Sequence, residues 1–195
     1  PNKATGIVYK NYKKLHIKGK LPDGAKVVIY VPSYRSGENT PEVDIDDNIE
    51  PVHKTFNSLS DIPSLTIIAD NDINIKSNVT NIFGNYVTRR GHIYTCAEDK
   101  NKSSSSDISN MKISSELGTT QKCNNNGLKV QGALISYDNI VFHRTYGAEN
   151  FEESTRSIPS EEVDYTPNTF LLPYYQSYKF EDKTNFVVRT ANNMI

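Results

Sequence analysis

Apolar residues two positions apart recur in short runs along this chain. Two stretches carry the clearest pattern, LTIIADNDINIKSNVTNIFGNYVTRRGHIY from Leu65 to Tyr94 and LKVQGALISYDNIVF from Leu128 to Phe142. Ile82, Gly84, Tyr86 and Val87 are echoed by Val130, Gly132, Leu134 and Ile135. Ile67 and Ala69 begin a further copy, and Ile17, Gly19 and Leu21 a fainter one. Each copy has a β-branched residue, a small residue two positions on, and usually a large apolar residue two further on. Residues two apart share one face of a strand. Such a narrow apolar stripe cannot bury itself, whereas stacked copies can, with the small residue allowing close approach. The pattern predicts an all-β, β-solenoid-like chain of short stacked coils, with a long polar insertion and an irregular C-terminal capping segment.

Taken in order, the chain reads as a single β domain over 1–195. Residues 1–61 hold N-terminal strands and loops: an edge strand in GIVYKNY, strand–turn–strand in LHIKGKLPDGAKVVIYVP with PDG at the turn, and a half-exposed strand in VDIDDNIEPV. In the last, Val43, Ile45 and Ile49 should face in, and Asp44 and Asp46 out. Residues 62–147 form the solenoid core, interrupted by an insertion at 97–122 and closing with IVFHRTYG. Residues 148–195 form the cap, in which SEEV suggests one helical turn with Ser160 as N-cap and NFVVRT a last edge strand. No long 3.6-residue periodicity is present.

Charge and composition narrow the function classes. A net charge of −1 gives no bulk attraction to nucleic acid. No run approaches the ~18 apolar residues that cross a bilayer, and no signal-peptide core is present. The start at Pro1 suggests that an N-terminal export or anchor segment has been removed. The two cysteines, Cys96 and Cys123, flank the polar insertion. A disulfide between them would pin its base and stabilise by roughly 3 kcal/mol in the chain-entropy model; the alternative is a pair of free thiols. Their wide separation lacks the close ligand pairs of structural zinc sites.

Candidate chemistry is sparse, and no motif names a reaction. His16, His92 and His143 fall in expected strands and His53 in a loop, without an HxH or HExxH spacing. In-register stacking would bring some of them together as a metal pair, and partly exposed strand residues are the simpler reading. Asp70, Asp72 and Asn74 form a D-x-D-x-N pattern whose oxygens suit calcium, although Ile75 and Asn81 stand where an EF-hand needs Gly and Glu. The acids Asp44, Asp46, Asp47 and Glu50 match no template, and solvated turn acids explain both groups. Tyr9, Tyr12, Tyr30, Tyr34, Tyr137, Tyr146, Tyr174, Tyr175 and Tyr178 are candidates for a binding face, or they fill the role of the absent tryptophan. Asn78 and Asn101 head glycosylation sequons of a kind frequent by chance in such a chain.

LTIIADNDINIKSNVTNIFGNYVTRRGHIYTC and CNNNGLKVQGALISYDNIVFHRTYG, with the later PSEEVDYTP, resemble a family of uncharacterised bacterial surface proteins. The family occurs in reduced-genome bacteria of the candidate phyla, including Saccharibacteria. The likeness spans about residues 62–173 and rests on the order of the motifs and both cysteine positions. It implies an exported β-solenoid-like domain tethered by an N-terminal membrane segment, and it carries no catalytic residues. A weaker likeness to bactofilin-type polymerising solenoids rests on the coil pattern alone. The expectation is an extracellular, non-enzymatic cell-surface protein (a pilus, surface-layer or adhesin component) that contacts other subunits or a surface ligand, with no cofactor. The alternative is a carbohydrate-binding or carbohydrate-active solenoid.

Overall fold

Alternation of apolar and polar residues becomes short strands throughout a computed structural model that describes residues 5–9, 14–33, 41–97, 126–144 and 159–166. The strands are β1 (Thr5–Val8), β2 (Leu15–Leu21), β3 (Lys26–Val31), β4 (Val43–Pro51), β5 (Ser64–Ala69), β6 (Ile73–Ile75), β7 (Asn81–Thr88), β8 (Ile93–Tyr94), β9 (Leu128–Ser136), β10 (Ile140–Val141) and β11 (Glu161–Asp164). Among the described residues no helix is long and apolar enough to cross a membrane. The chain is all-β, and its strands join in one parallel hydrogen-bonded network that does not close on itself.

The pairing falls into separate runs. In the first, β1 pairs β3, β3 pairs β5, β5 pairs the C-terminal half of β7, and that half pairs the end of β9. In the second, the start of β2 pairs the start of β4, which leads through β6 and β8 to β10. In the third, the end of β2 pairs the end of β4, which meets the start of β7, then β9, then β11. Parallel neighbours need a crossover of a dozen or more residues, usually a helix. Here the crossover is made of strand: from β5 the chain passes through β6 before it returns in β7.

Register aligns the apolar stripes. Ile7, Ile29, Ile67, Tyr86 and Leu134 lie in one row. Leu15, Val43, Ile73, Ile93 and Ile140 lie in another, and Ile49, Ile82, Val130 and Val163 in a third. Most of these residues converge in one buried cluster, where Val43, Ile45, Ile67, Ile73, Ile75 and Ile93 are all at 0% exposure. Burying each such side chain is worth about 1.5–3 kcal/mol. Val43, Ile45 and Ile49 face inward as expected.

The match between the two clearest stretches is in register residue by residue, Ile82 with Val130, Gly84 with Gly132, Tyr86 with Leu134 and Val87 with Ile135. The two fainter copies are placed differently. Gly19 is in register with Ile49, and Ile49 with Ile82, so Gly19 is not the counterpart of Gly84. Ile67 is the partner of Tyr86 rather than of Ile82. A period of two fixes the face of a strand but not its position along a neighbour, and β2 also carries an irregularity between Ile17 and Gly19. SEEV is not a helical turn: Glu161–Asp164 is β11, parallel to β9, with Val163 opposite Val130 and the Leu128 N–H donating to the Ser160 carbonyl at 2.9 Å. The cap expected over 148–195 therefore contributes a strand of the sheet at Glu161–Asp164. Most of the 97–122 insertion and NFVVRT lie outside the described residues.

Candidate functional site: a polar row on the second run of strands

The triplets Leu15-His16-Ile17, Val43-Asp44-Ile45 and Ile73-Asn74-Ile75 stack in register, and Tyr94 follows beneath Asn74. The flanking apolar residues turn into the core, so His16, Asp44, Asn74 and Tyr94 share the opposite side. His16 is exposed, yet Asp44 is only 8% and Asn74 only 1% exposed. A carboxylate and an amide so far removed from water need partners. The Asn74 Nδ2 donates to Asp44 Oδ1 at 2.8 Å and to Glu42 Oε2 at 3.1 Å. Lys14 Nζ lies 3.0 Å from Glu42 Oε2 and 3.6 Å from Asp44 Oδ2. The Asn74 Oδ1 accepts no hydrogen bond among the described residues.

Two residues beyond Asp44, Asp46 lies 2.8 Å from His16 Nδ1 through its Oδ2, and its Oδ1 contacts Lys76 Nζ. Burial pushes the Asp46 pKa up, but hydrogen bonds from Lys76 and His16, with their charges, outweigh burial and hold it below the usual carboxylate range. His16, Asp44 and Asp46 each place one donor atom within 4.8 Å of the other two. Of the acids expected beside them, Asp47 turns outward and accepts the Asn48 N–H at 2.7 Å, and Glu50 sits farther along β4.

Asp70, Asp72 and Asn74 do not converge. Asp70 accepts the Ser33 N–H at 2.9 Å and contacts the Tyr30 hydroxyl at 3.3 Å and Arg89 at 3.0 Å, tying together the ends of β3, β5 and β7. Asp72 accepts the His92 N–H at 2.9 Å. The His92 ring stands between Asp72, at 3.7 Å, and Asp138, at 3.2 Å, and lies 5.5 Å from the Tyr94 ring. These residues sit at a turn and the start of β6, which aims each toward a different neighbour, so the D-x-D-x-N spacing makes no common oxygen cage. His53 pairs with Asp23 in the loops at 2.8 Å, and the His143 N–H donates to Thr95 Oγ1 at 3.0 Å. Tyr137 is 86% exposed, whereas Tyr12, Tyr34, Tyr146, Tyr174, Tyr175 and Tyr178 lie outside the described residues. Asn78 is exposed and Asn101 is outside them.

Compared with protein-family models, curated proteins and solved structures, the chain matches none. The site is therefore read from its own chemistry. Cys96 is fully buried and is not a free thiol, while Cys123 lies outside the described residues. Arg144 is 3% exposed. Its guanidinium donates to the carbonyls of Thr95 and Lys76, each at 2.8 Å, and to that of Val79. Its own N–H donates to Glu161 Oε1 at 3.2 Å, and Ser160 Oγ donates to its carbonyl at 2.7 Å. Burial raises the Glu161 pKa against the opposing hydrogen bonds from Thr95 and Arg144. Sequence reading did not single out Arg144, because nothing in HRTYG announces a buried cation. The polar row did carry a signal, in the shared apolar–polar–apolar form of LHI, VDI and INI.

Proposed function

We propose that the parallel runs are the walls of a β-solenoid, and that the chain is an extracellular, non-enzymatic structural or adhesive component of a cell surface. The observation that supports this most is the register. Residues far apart in sequence occupy the same row in successive layers, so the fold adds layers along one direction and makes a stiff support. Sites on such a support are presented side by side rather than enclosed. The partners in this reading are other protein subunits or a surface ligand, and any membrane attachment runs through an N-terminal anchor. The resemblance to candidate-phyla surface proteins points the same way. Electron microscopy of native material tests the reading: filaments, a lattice or elongated particles bound to cells are expected, and compact monomers that remain free of the surface would refute it.

A second reading, a carbohydrate-binding or carbohydrate-active solenoid, is favoured by one observation. An exposed aromatic ring, Tyr137, adjoins Asp138, whose carboxylate lies 3.2 Å from the His92 imidazole, a combination suited to sugar ring faces and hydroxyls. Binding on a glycan array, or release of reducing ends from a polysaccharide, would select this reading over the first.

A further inference from the structure

We propose that His16, Asp44 and Asp46 bind a divalent cation of the zinc, cobalt, nickel or manganese class, with Asn74 as an additional oxygen ligand. The inference is independent of the surface-protein reading. The three donor atoms already lie within 4.8 Å of one another without a metal. An imidazole nitrogen with two carboxylate oxygens is a ligand set of this class rather than of calcium or magnesium, which take oxygen.

The second observation is Asn74. Its side chain is buried at 1% exposure and its amide head is aimed at the acids, with Nδ2 2.8 Å from Asp44 Oδ1. Its Oδ1 has no hydrogen-bond partner among the described residues. Half a turn about the terminal side-chain bond exchanges the amide nitrogen and oxygen. The exchanged form brings three oxygens together at Asp44, Glu42 and Asn74, an arrangement that repels itself unless a cation sits among them. Without metal, the Asn74 N–H groups and the lysines satisfy the acids. Lys14 and Lys76 have side-chain exposures of 52% and 38%, so both can swing into water when a metal enters. The metal then takes the place of the proton shared by His16 and Asp46.

The test uses untagged full-length protein, stripped with chelator and titrated calorimetrically with zinc chloride, and in parallel with calcium chloride. One equivalent of zinc is expected to bind and raise the melting temperature, with calcium doing neither. His16→Ala changes an exposed side chain, so it should fold. It should weaken zinc binding by at least the roughly 10–100-fold that loss of an outer-sphere partner alone costs. Asp46→Asn should do the same. His53→Ala, which breaks the other histidine–aspartate pair at 2.8 Å, should leave zinc binding unchanged. Absence of zinc binding, a preference for calcium, or affinity unaffected by both His16→Ala and Asp46→Asn would overturn the proposal.

Discussion

Substitution of Gly132 by alanine should be among the most damaging single-methyl additions to this protein. Gly132 has φ +148, and a Cβ there would lie 2.0 Å from the Gly84 carbonyl oxygen, 2.7 Å from its carbon and 3.2 Å from its nitrogen. All of these are backbone atoms of the strand paired in register with it, so no flexible side chain can yield. Forcing an alanine into a sparsely populated backbone region costs about 1–3 kcal/mol, and overpacking a filled interior costs about 1–3 kcal/mol. Together these give roughly 2–6 kcal/mol, a large share of the 5–15 kcal/mol typical of a whole domain. For a chain of this size, a loss of 1 kcal/mol lowers Tm by roughly 2–4 °C. Thermal melts followed by circular dichroism should therefore show Tm down by on the order of 10 °C. Gly84→Ala should cost less, because its Cβ would meet the Leu65 carbonyl oxygen at 2.7 Å and the Leu65 Cβ at 3.0 Å. A Tm for Gly132→Ala within about 2 °C of native, or a larger loss for Gly84→Ala, would refute the reasoning from close approach.

Three further outcomes are expected. Alkylation without reductant should leave both cysteines unmodified, at an intact mass two hydrogens below that of the reduced chain, whereas two alkylated thiols would exclude a bond between Cys96 and Cys123. Arg144→Met should destabilise by on the order of 3 kcal/mol, since it takes a donor from the buried carbonyls of Lys76, Val79 and Thr95; denaturant unfolding measures this, and an unchanged midpoint would count against it. Because the folded-state pKa of Glu161 is raised, its contribution to stability is full below its unfolded pKa and is lost as pH rises through the folded value. Glu161→Gln keeps the acceptor oxygen without the buried charge, so melts between pH 4 and 7 should show Tm at pH 7 no lower than native and a flatter dependence on pH; a steeper dependence would contradict the assignment.

Much of the strand content was legible because the longer strands carry their own period of two. Val43, Ile45 and Ile49 could be assigned to the interior from VDIDDNI alone. The pairing of Gly84 with Gly132 was legible because both neighbourhoods keep the same order of residue sizes. Register in the first half was not, since Gly19 resembles Gly84 in local sequence but answers to Ile49 across the sheet. β11 was missed because three of its four residues are acidic, and only the row above it, ending in Val130, asks for Val163. The polar row was half visible: His16, Asp44, Asp46 and Asn74 had each been noted, but their meeting depends on register. Lys14 and Glu42, which complete the charge balance, had no local signature.

The position of Arg144 also sets an order of events during synthesis. The carbonyl of Lys76 waits for a donor encoded 68 residues later, and that of Val79 for one encoded 65 residues later. At roughly 5–20 residues per second, the nascent chain spends several seconds with the segment between β6 and β7 made but not yet clasped. Chain released or cut before Arg144 would hold those strands without the cation that fastens their connecting turns. Commitment to the finished state therefore comes late, when Arg144 reaches back and ties down the middle of the chain.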